Sequence, residues 1–309
     1  MIVNVVDLVS RGFARYEWTW ICSERRGYKL FIAVTRDAMK FDQLPMLNWH
    51  RDDDANPIRD YGITTRFGPA EKGFSGVRLP ASAYELQQIA DIVGGMLLTP
   101  RVADLIWLQA GLNFDCVVNS GPPYFQRLAD VNVTAAHQLI EERIAEHGGD
   151  DGKKLVSCEG KHWCLVNELA DGYTSSGQLL YGERTACNYG WCAQVASGPG
   201  LTTGVQCWQR PGFKHSNDHF DPSQTIRLMY SQGWLVRPGR DGEPVGLGEV
   251  AANPELAFLL THDSKPLRYR RQLHVPVLPL ATSYPTPPVT NEVPMVLMAP
   301  TVISEAPSV

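Results

Sequence analysis

The chain has 309 residues, of which 44% are hydrophobic and 20% are charged, and its formal net charge at pH 7 is −5. A chain of this length and composition can bury enough surface to fold as a globular protein without disulfides or a metal. The negative charge argues against a general nucleic-acid binder, which needs a basic surface. No apolar run reaches the roughly 20 residues of a membrane span.

The first forty residues are predicted to be β-structure. Residues 16–21 alternate as a half-buried strand does, and residues 28–34 supply the return strand of a hairpin after a turn at 24–27. A long polar loop rich in Asp, Asn, Pro and Gly is predicted over residues 50–76. The N-terminus lacks the features of a signal peptide. We therefore expect cytoplasmic synthesis, with incorporation into a virion as one further destination.

Three helices are predicted in the middle of the chain, at residues 82–93, 100–110 and 133–147. Ser82 is a suitable N-cap for the first of them, and the glycines at 94–95 end it. Thr99 followed by a proline has the cap-then-proline pattern of a helix start.

The chain then returns to short strands, predicted at 155–158, 162–167, 190–195 and 225–230, before a last short helix at 253–257. Strands followed by helices and then by strands indicate an α+β fold, rather than the regular alternation of a doubly wound sheet. The sequence therefore predicts one compact globular α+β domain over residues 1–272.

Residues 273–309 have a different composition from the rest of the chain. Eight prolines lie among Val, Leu, Met, Ala and Thr, with no Lys or Arg. Proline at this density favours extended backbone, and the apolar side chains favour contact with a surface of the same chain or of a partner. We predict an extended proline-rich arm that docks onto a protein partner or neighbouring subunit. Homo-oligomerisation is compatible with this prediction.

The sequence carries no standard nucleophile, nucleotide-binding or zinc-protease motif. Five of the seven cysteines lie between Cys158 and Cys207, at spacings without a paired C-x2-C chelate. We therefore predict no cofactor, no structural metal and at most one or two disulfides among these five cysteines.

The richest polar segment runs from residue 214 to residue 227. Its histidines and aspartates could form an acid–base pair, because imidazole titrates near neutrality and a carboxylate can orient it. The alternative interpretation is a polar loop that leads into a strand. The candidate catalytic residues, which would have to converge on one cleft, are His162, His215, Asp221, Ser223 and Arg227.

Parts of the chain resemble a family of uncharacterised bacterial proteins, most of them regarded as secreted and none with an assigned reaction. The likeness begins with residues 76–80, 98–107 and 136–143. It continues through the Tyr-Gly-Trp tripeptide at 189–191 to about residue 271.

The chain departs from this family's pattern at two positions. The family has a His after Tyr-Gly-Trp, where this chain has Cys192, and Asp-Tyr-Ser-His, where this chain ends the tetrapeptide with Gln224. Cys and Gln cannot replace a general base with a pKa near neutrality. The resemblance therefore implies a non-catalytic structural or binding subunit on an enzyme-like scaffold, with a phage virion component as one example. The alternative is a hydrolase of peptide or cell-wall bonds that uses the five candidate residues.

Overall fold

The computed structural model of the chain describes residues 5–42, 75–113, 133–157, 160–171, 180, 184–194, 205–219, 224–268, 271–272, 275–281 and 287. Helices make up 27% and sheets 35% of a single compact domain, so the predicted α+β class is confirmed. Of the predicted polar loop, residues 50–74 lie outside the described residues.

The elements are numbered in chain order. The helices are α1 (Val5–Ser10), α2 (Ala83–Val93), α3 (Pro100–Gln109), α4 (Val133–Glu146), α5 (Glu168–Asp171) and α6 (Leu247–Ala252), with a 3-10 turn at Ala257–Leu259. The strands are β1 (Ala14–Arg15), β2 (Trp18–Arg25), β3 (Tyr28–Thr35), β4 (Lys40–Asp42), β5 (Ser75–Arg78), β6 (Gly95–Met96), β7 (Leu112–Asn113), β8 (Val156–Ser157), β9 (Lys161–Cys164), β10 (Thr185–Gln194), β11 (Val205–Ser216), β12 (Met229–Val236) and β13 (Gly242–Gly246).

The largest sheet has the strand order β13-β12-β3-β2, and β6 also pairs with β12. β2 and β3 form the predicted hairpin, in which Arg25 pairs with Tyr28. The two turn residues between them, Arg26 and Gly27, have positive φ values of 55° and 77°. A type I′ turn requires this backbone. β2 extends beyond its predicted end because the turn needs only two residues.

The three predicted helices are present as α2, α3 and α4. A capping box begins α2: the Glu85 backbone N–H donates to Ser82 Oγ, and the Ser82 N–H donates to the Glu85 carboxylate. Gly94 ends α2 in the left-handed conformation, with φ of 70°. Thr99 caps α3 by accepting the Val102 N–H at 3.2 Å.

Two local predictions are wrong. Residues 5–10 form α1 instead of β-structure, because the apolar side chains of this segment pack together on the core beside α2. The last helix is α6, which ends before the predicted segment. Asn253 is its C-cap, and a 3-10 turn follows.

A second, antiparallel sheet has the order β11-β10-β9. One face of it packs against α3, as the hydrogen bond from Tyr189 on β10 to Asp104 on α3 shows. Buried apolar residues from this sheet, from the largest sheet and from α1, α2 and α3 belong to one continuous core cluster. None of the helices in the described part of the chain has the length and hydropathy that crossing a membrane would require.

The beginning of the proline-rich segment, residues 275–281, lies against α2 of its own chain. Val275 is 3% exposed. The Asp91 carboxylate on α2 accepts the Leu278 N–H at 3.2 Å and pairs with Arg271 at 2.9 Å. The first part of the predicted arm therefore docks in cis, and docking of the remaining residues onto a partner stays a prediction.

Candidate functional site

Two of the five candidate residues predicted from the sequence lie together in the interior. His162 on β9 is 6% exposed, and Arg227 is 1% exposed. Burial, reinforced by the charge of Arg227, lowers the pKa of His162 to about 3. Arg227 donates through Nη2 to the Val156 carbonyl at 2.6 Å. This histidine is neutral at physiological pH and has almost no contact with solvent.

The third candidate, His215, lies on the opposite face of the same sheet. Side chains alternate between the two faces of a sheet. The pairing of β9 and β11 with β10 places His215 on the face that carries Trp163, whereas His162 lies on the other face. Its ring packs edge-on against Trp163 at 6.4 Å and stacks on His219 at 3.8 Å. The structure therefore does not bring the two histidines together.

Asp221 and Ser223 lie outside the described residues, so their predicted roles stay predictions. Gln224, at one of the positions that depart from the family pattern, is fully buried. Neither of its amide atoms has a hydrogen-bond partner in the part of the chain that the structure describes. Within the same ranges, no three potential ligands are placed to bind a metal ion.

A cavity of about 340 Å³ opens on the α3 side of the second sheet. We call it the His262 cavity. It lies between the start of α3, the β9–α5 connection, β10, β11 and the segment that follows the 3-10 turn. The side chains around it are Thr99, Pro100, Leu165, Val166, Asn167, Glu168, Tyr189, Arg210, Pro211, Thr261, His262, Asp263 and Leu267.

A buried carboxylate joins two side chains of this cavity. Asp104 on α3 is 4% exposed. It accepts the Tyr189 hydroxyl at 2.7 Å through Oδ1, and its Oδ2 lies 2.9 Å from His262 Nε2. Burial and the neighbouring Asp104 raise the pKa of Tyr189 above its usual range, so that the hydroxyl remains a donor.

The position of His262 relative to α3 is fixed by hydrogen bonds to backbone carbonyls. Thr99, the N-cap of α3, donates to the Leu260 carbonyl at 2.5 Å. Arg101 donates to the Leu259 carbonyl at 3.2 Å, and Thr261 donates to the Ala257 carbonyl at 2.9 Å. Because α3 also carries Asp104, these bonds fix the position of the imidazole relative to the carboxylate.

The same geometry determines which nitrogen of His262 is available. Nε2 faces Asp104, and a neutral ring that donates from Nε2 carries its lone pair on Nδ1. The His262 side chain is 40% exposed, whereas that of Asp104 is 6% exposed. The pair therefore presents an oriented imidazole at the cavity, with the carboxylate behind it.

Charged groups of both signs surround the cavity. Glu168 and Asp263 are acidic and Arg210 is basic, while Leu165 and Val166 add apolar surface. The connection that carries Glu168 is fixed through Asn167, whose side chain donates to the Pro266 carbonyl at 3.0 Å and accepts the Arg268 N–H at 3.0 Å.

Two cysteines lie opposite each other on β9 and β10, on the strand face that also carries Tyr189. Cys164 and Cys187 are Cα partners, fully buried and not disulfide-bonded. Burial raises the pKa of both thiols well above the usual value. They are unreactive core side chains that pack as small hydrophobes.

A second group of ionisable residues lies elsewhere in the domain. We call Asp37, Lys40, Arg78, His137 and Glu141 the Asp37 cluster. Arg78 binds Asp37 through Nε and Nη2 at 3.0 and 2.5 Å, and binds Glu141 through Nη1 at 2.6 Å. Burial and the charge of Arg78 lower the pKa of His137 to about 4. This cluster ties β5 to α4.

No protein-family model matches the sequence, and comparisons with curated proteins and with solved structures found no match. The resemblance to the bacterial family therefore stays a prediction. Sequence reasoning did not identify Asp104 or His262 as functional residues. Tyr189 belongs to the Tyr-Gly-Trp tripeptide. Neither Asp104 nor His262 belongs to a catalytic motif, and only the packing of α3 brings them together.

Proposed function

We propose that this protein binds a small zwitterionic ligand, of the size and charge of an amino acid or dipeptide, in the His262 cavity. The observation that carries the proposal is the cavity itself, in which an oriented imidazole and side chains of both charges surround an apolar wall. This function differs from the binding role expected from the sequence, which is docking onto a protein partner through the proline-rich arm.

The size of the cavity supports a small ligand. Its volume of about 340 Å³ lies at the low end of the range of roughly 300–1,000 Å³ that small-molecule sites occupy. A single amino acid or a dipeptide fits this space, whereas a longer peptide would have to extend out of it.

The charges around the cavity support a ligand with two charged ends. An ammonium group is complementary to Glu168 and Asp263, and a carboxylate is complementary to Arg210. Tyr189 donates its proton to Asp104, so its oxygen can accept a hydrogen bond from a ligand N–H.

The burial of His162 and Arg227 argues against catalysis by the five residues predicted from the sequence. It therefore supports a binding function. A general base must come within hydrogen-bond reach of the proton that it abstracts. His162 is 6% exposed and faces away from His215. Any activity of this chain is therefore better sought at the His262 cavity.

Assembly through the proline-rich segment is a second candidate function. Val277 and Leu280 are 72% and 62% exposed, although residues 275–281 are held on α2. Large apolar side chains on a fixed backbone can contact a partner at little cost in chain entropy.

The ligand proposal is tested by titrating the full chain calorimetrically with unprotected amino acids and dipeptides, with alanyl-alanine as the first probe. We expect binding that weakens at least tenfold when the probe is N-acetylated or C-amidated, because each cap removes one charge. Glu168→Gln should weaken binding of the uncapped probe. Glu255→Gln, which alters an exposed carboxylate outside the cavity, is the matched control. No binding of any uncapped probe at millimolar concentration would overturn the proposal.

A further inference from the structure

We infer that the His262 cavity hydrolyses the acyl bond of the ligand that it binds, with His262 as the general base that activates water. This inference rests on the proposed ligand-binding function and adds a reaction to it. It assigns the chemistry to Asp104, Tyr189 and His262, none of which belongs to the five catalytic candidates from the sequence.

The imidazole of His262 is oriented for proton transfer. Asp104 lies 2.9 Å from Nε2 of His262, so the carboxylate favours the tautomer that leaves Nδ1 as the proton acceptor. It also stabilises the imidazolium that forms when Nδ1 takes up a proton. A buried carboxylate behind a histidine plays this part in hydrolases with unrelated folds.

The carboxylate of Asp104 is held rigidly. Asp104 is 4% exposed and lies on a helix, and its Oδ1 accepts the Tyr189 hydroxyl at 2.7 Å. Tyr189 and Asp104 are therefore positioning residues. Tyr189 fixes the Asp104 carboxylate, and the carboxylate fixes the orientation of the His262 ring through Nε2. Tyr189 and His262 both contact the carboxylate and line the cavity, but the Tyr189 hydroxyl donates its proton to Asp104, so His262 supplies the proton acceptor and is the catalytic residue.

The reaction needs no co-reactant other than water. His262 Nδ1 takes a proton from a water molecule as the water oxygen bonds to the acyl carbon of the ligand. The tetrahedral intermediate then collapses, and the bond from the acyl carbon to the leaving nitrogen or oxygen breaks. The imidazolium returns its proton to the leaving group, which leaves an acid and an amine or alcohol.

The cavity restricts the class of substrate. A dipeptide, or its ester analogue with a lactate in place of the second residue, carries an ammonium at one end and a carboxylate at the other. Glu168 and Asp263 are complementary to the first end and Arg210 to the second. The acyl bond between the two charged ends would then lie in the part of the ligand that crosses the cavity.

The test uses the full chain with alanyl-alanine and alanyl-lactate and follows the release of free alanine by NMR. The wild-type protein should cleave at least the ester. His262→Ala should lower kcat/KM by about 10²–10⁴-fold, the usual contribution of a general acid–base group. Added imidazole should restore part of the loss, which a purely structural role for His262 would not allow.

The positioning residues give a second readout. Asp104→Asn should lower kcat by at least about 10²-fold while KM changes little, because the amide no longer favours the productive tautomer. Tyr189→Phe keeps the carboxylate and should cost less, and it serves as the test if Asp104→Asn does not fold. His147→Ala, which changes an exposed histidine at the end of α4, should leave the rate unchanged.

The outcomes separate this inference from the binding proposal. Wild-type protein that binds alanyl-alanine but cleaves neither substrate would contradict hydrolysis and leave binding intact. Full activity in His262→Ala, or loss that imidazole does not restore, would also contradict it. A protein that neither binds nor cleaves these probes would contradict both proposals.

Discussion

His162 and His262 lie in opposite surroundings within one domain. His162 lies in the interior near Arg227, and burial together with this positive charge lowers its pKa to about 3. His262 lies at a cavity with its Nε2 against the carboxylate of Asp104. The two histidines therefore differ in the sign of the neighbouring charge and in access to solvent, and the sequence does not encode either property locally.

The largest expected effect tests whether the buried charges of the domain are structural. Arg78→Met should destabilise the protein by about 3–5 kcal/mol, because the buried Asp37 would lose both hydrogen bonds from Arg78 and keep only the ion pair with the less buried Lys40. Burial alone would raise the pKa of Asp37, but Arg78 outweighs it and holds this pKa below the usual range. Urea unfolding measures the change.

The control for this variant is Arg143→Met. Arg143 forms an exposed pair with Glu146 at 2.9 Å, with side chains 51% and 58% exposed, and such pairs contribute at most about 1 kcal/mol. An Arg78→Met protein as stable as the Arg143→Met protein would show that the Asp37 cluster does not hold β5 and α4 together.

A further effect on stability, of smaller size at each pH unit, is expected from pH. The folded-state pKa of His162, about 3, lies below the ordinary value of about 6.5. Its contribution to stability is therefore present above pH 6.5 and is lost as the pH falls towards 3. Over that range the unfolded chain binds about one more proton at this residue, which corresponds to about 1.4 kcal/mol per pH unit.

Urea unfolding at several pH values measures this dependence, and His162→Gln should reduce the slope between pH 6.5 and 3. His137, with a pKa of about 4, contributes in the same direction, so some slope should persist in the variant. An unchanged slope in His162→Gln would contradict the burial of a neutral imidazole at this position.

The smallest effect on stability is expected at the proline-rich segment, far along the chain from His162 and His137. Val277→Asp combined with Leu280→Asp should change the unfolding free energy by less than about 0.5 kcal/mol, because both side chains are largely exposed. If this segment mediates assembly, the double variant should reduce the mass measured by light scattering. A multimeric wild-type protein whose mass is unchanged by the substitutions would remove that idea.

Much of the fold could be predicted from the sequence, because its signals are local. Ser82 with Glu85, and Thr99 with Pro100, mark helix starts through contacts within a few residues. The α+β class followed from the order of such segments. The short α1 was missed because four buried residues in six do not distinguish a helix from a strand.

The candidate site could not be predicted in the same way. Asp104, Tyr189 and His262 are brought together by the packing of α3 on the second sheet and by the hydrogen bonds from Thr99 and Arg101 to the segment before His262. The segment that looked richest in chemistry instead places His215 in a stack with His219, on the face of the sheet opposite His162. A high density of polar residues along the chain did not predict which side chains meet in the folded structure.

In the proposed mechanism, His262 and not His162 is the histidine that contacts a ligand. Nitrogen-15 NMR of protein labelled at histidine tests this directly, with the ring signals assigned from His262→Gln and His162→Gln variants. On addition of alanyl-alanine, we predict that the His262 ring nitrogens shift while those of His162 stay unchanged. Shifts at His162 without shifts at His262 would contradict the account.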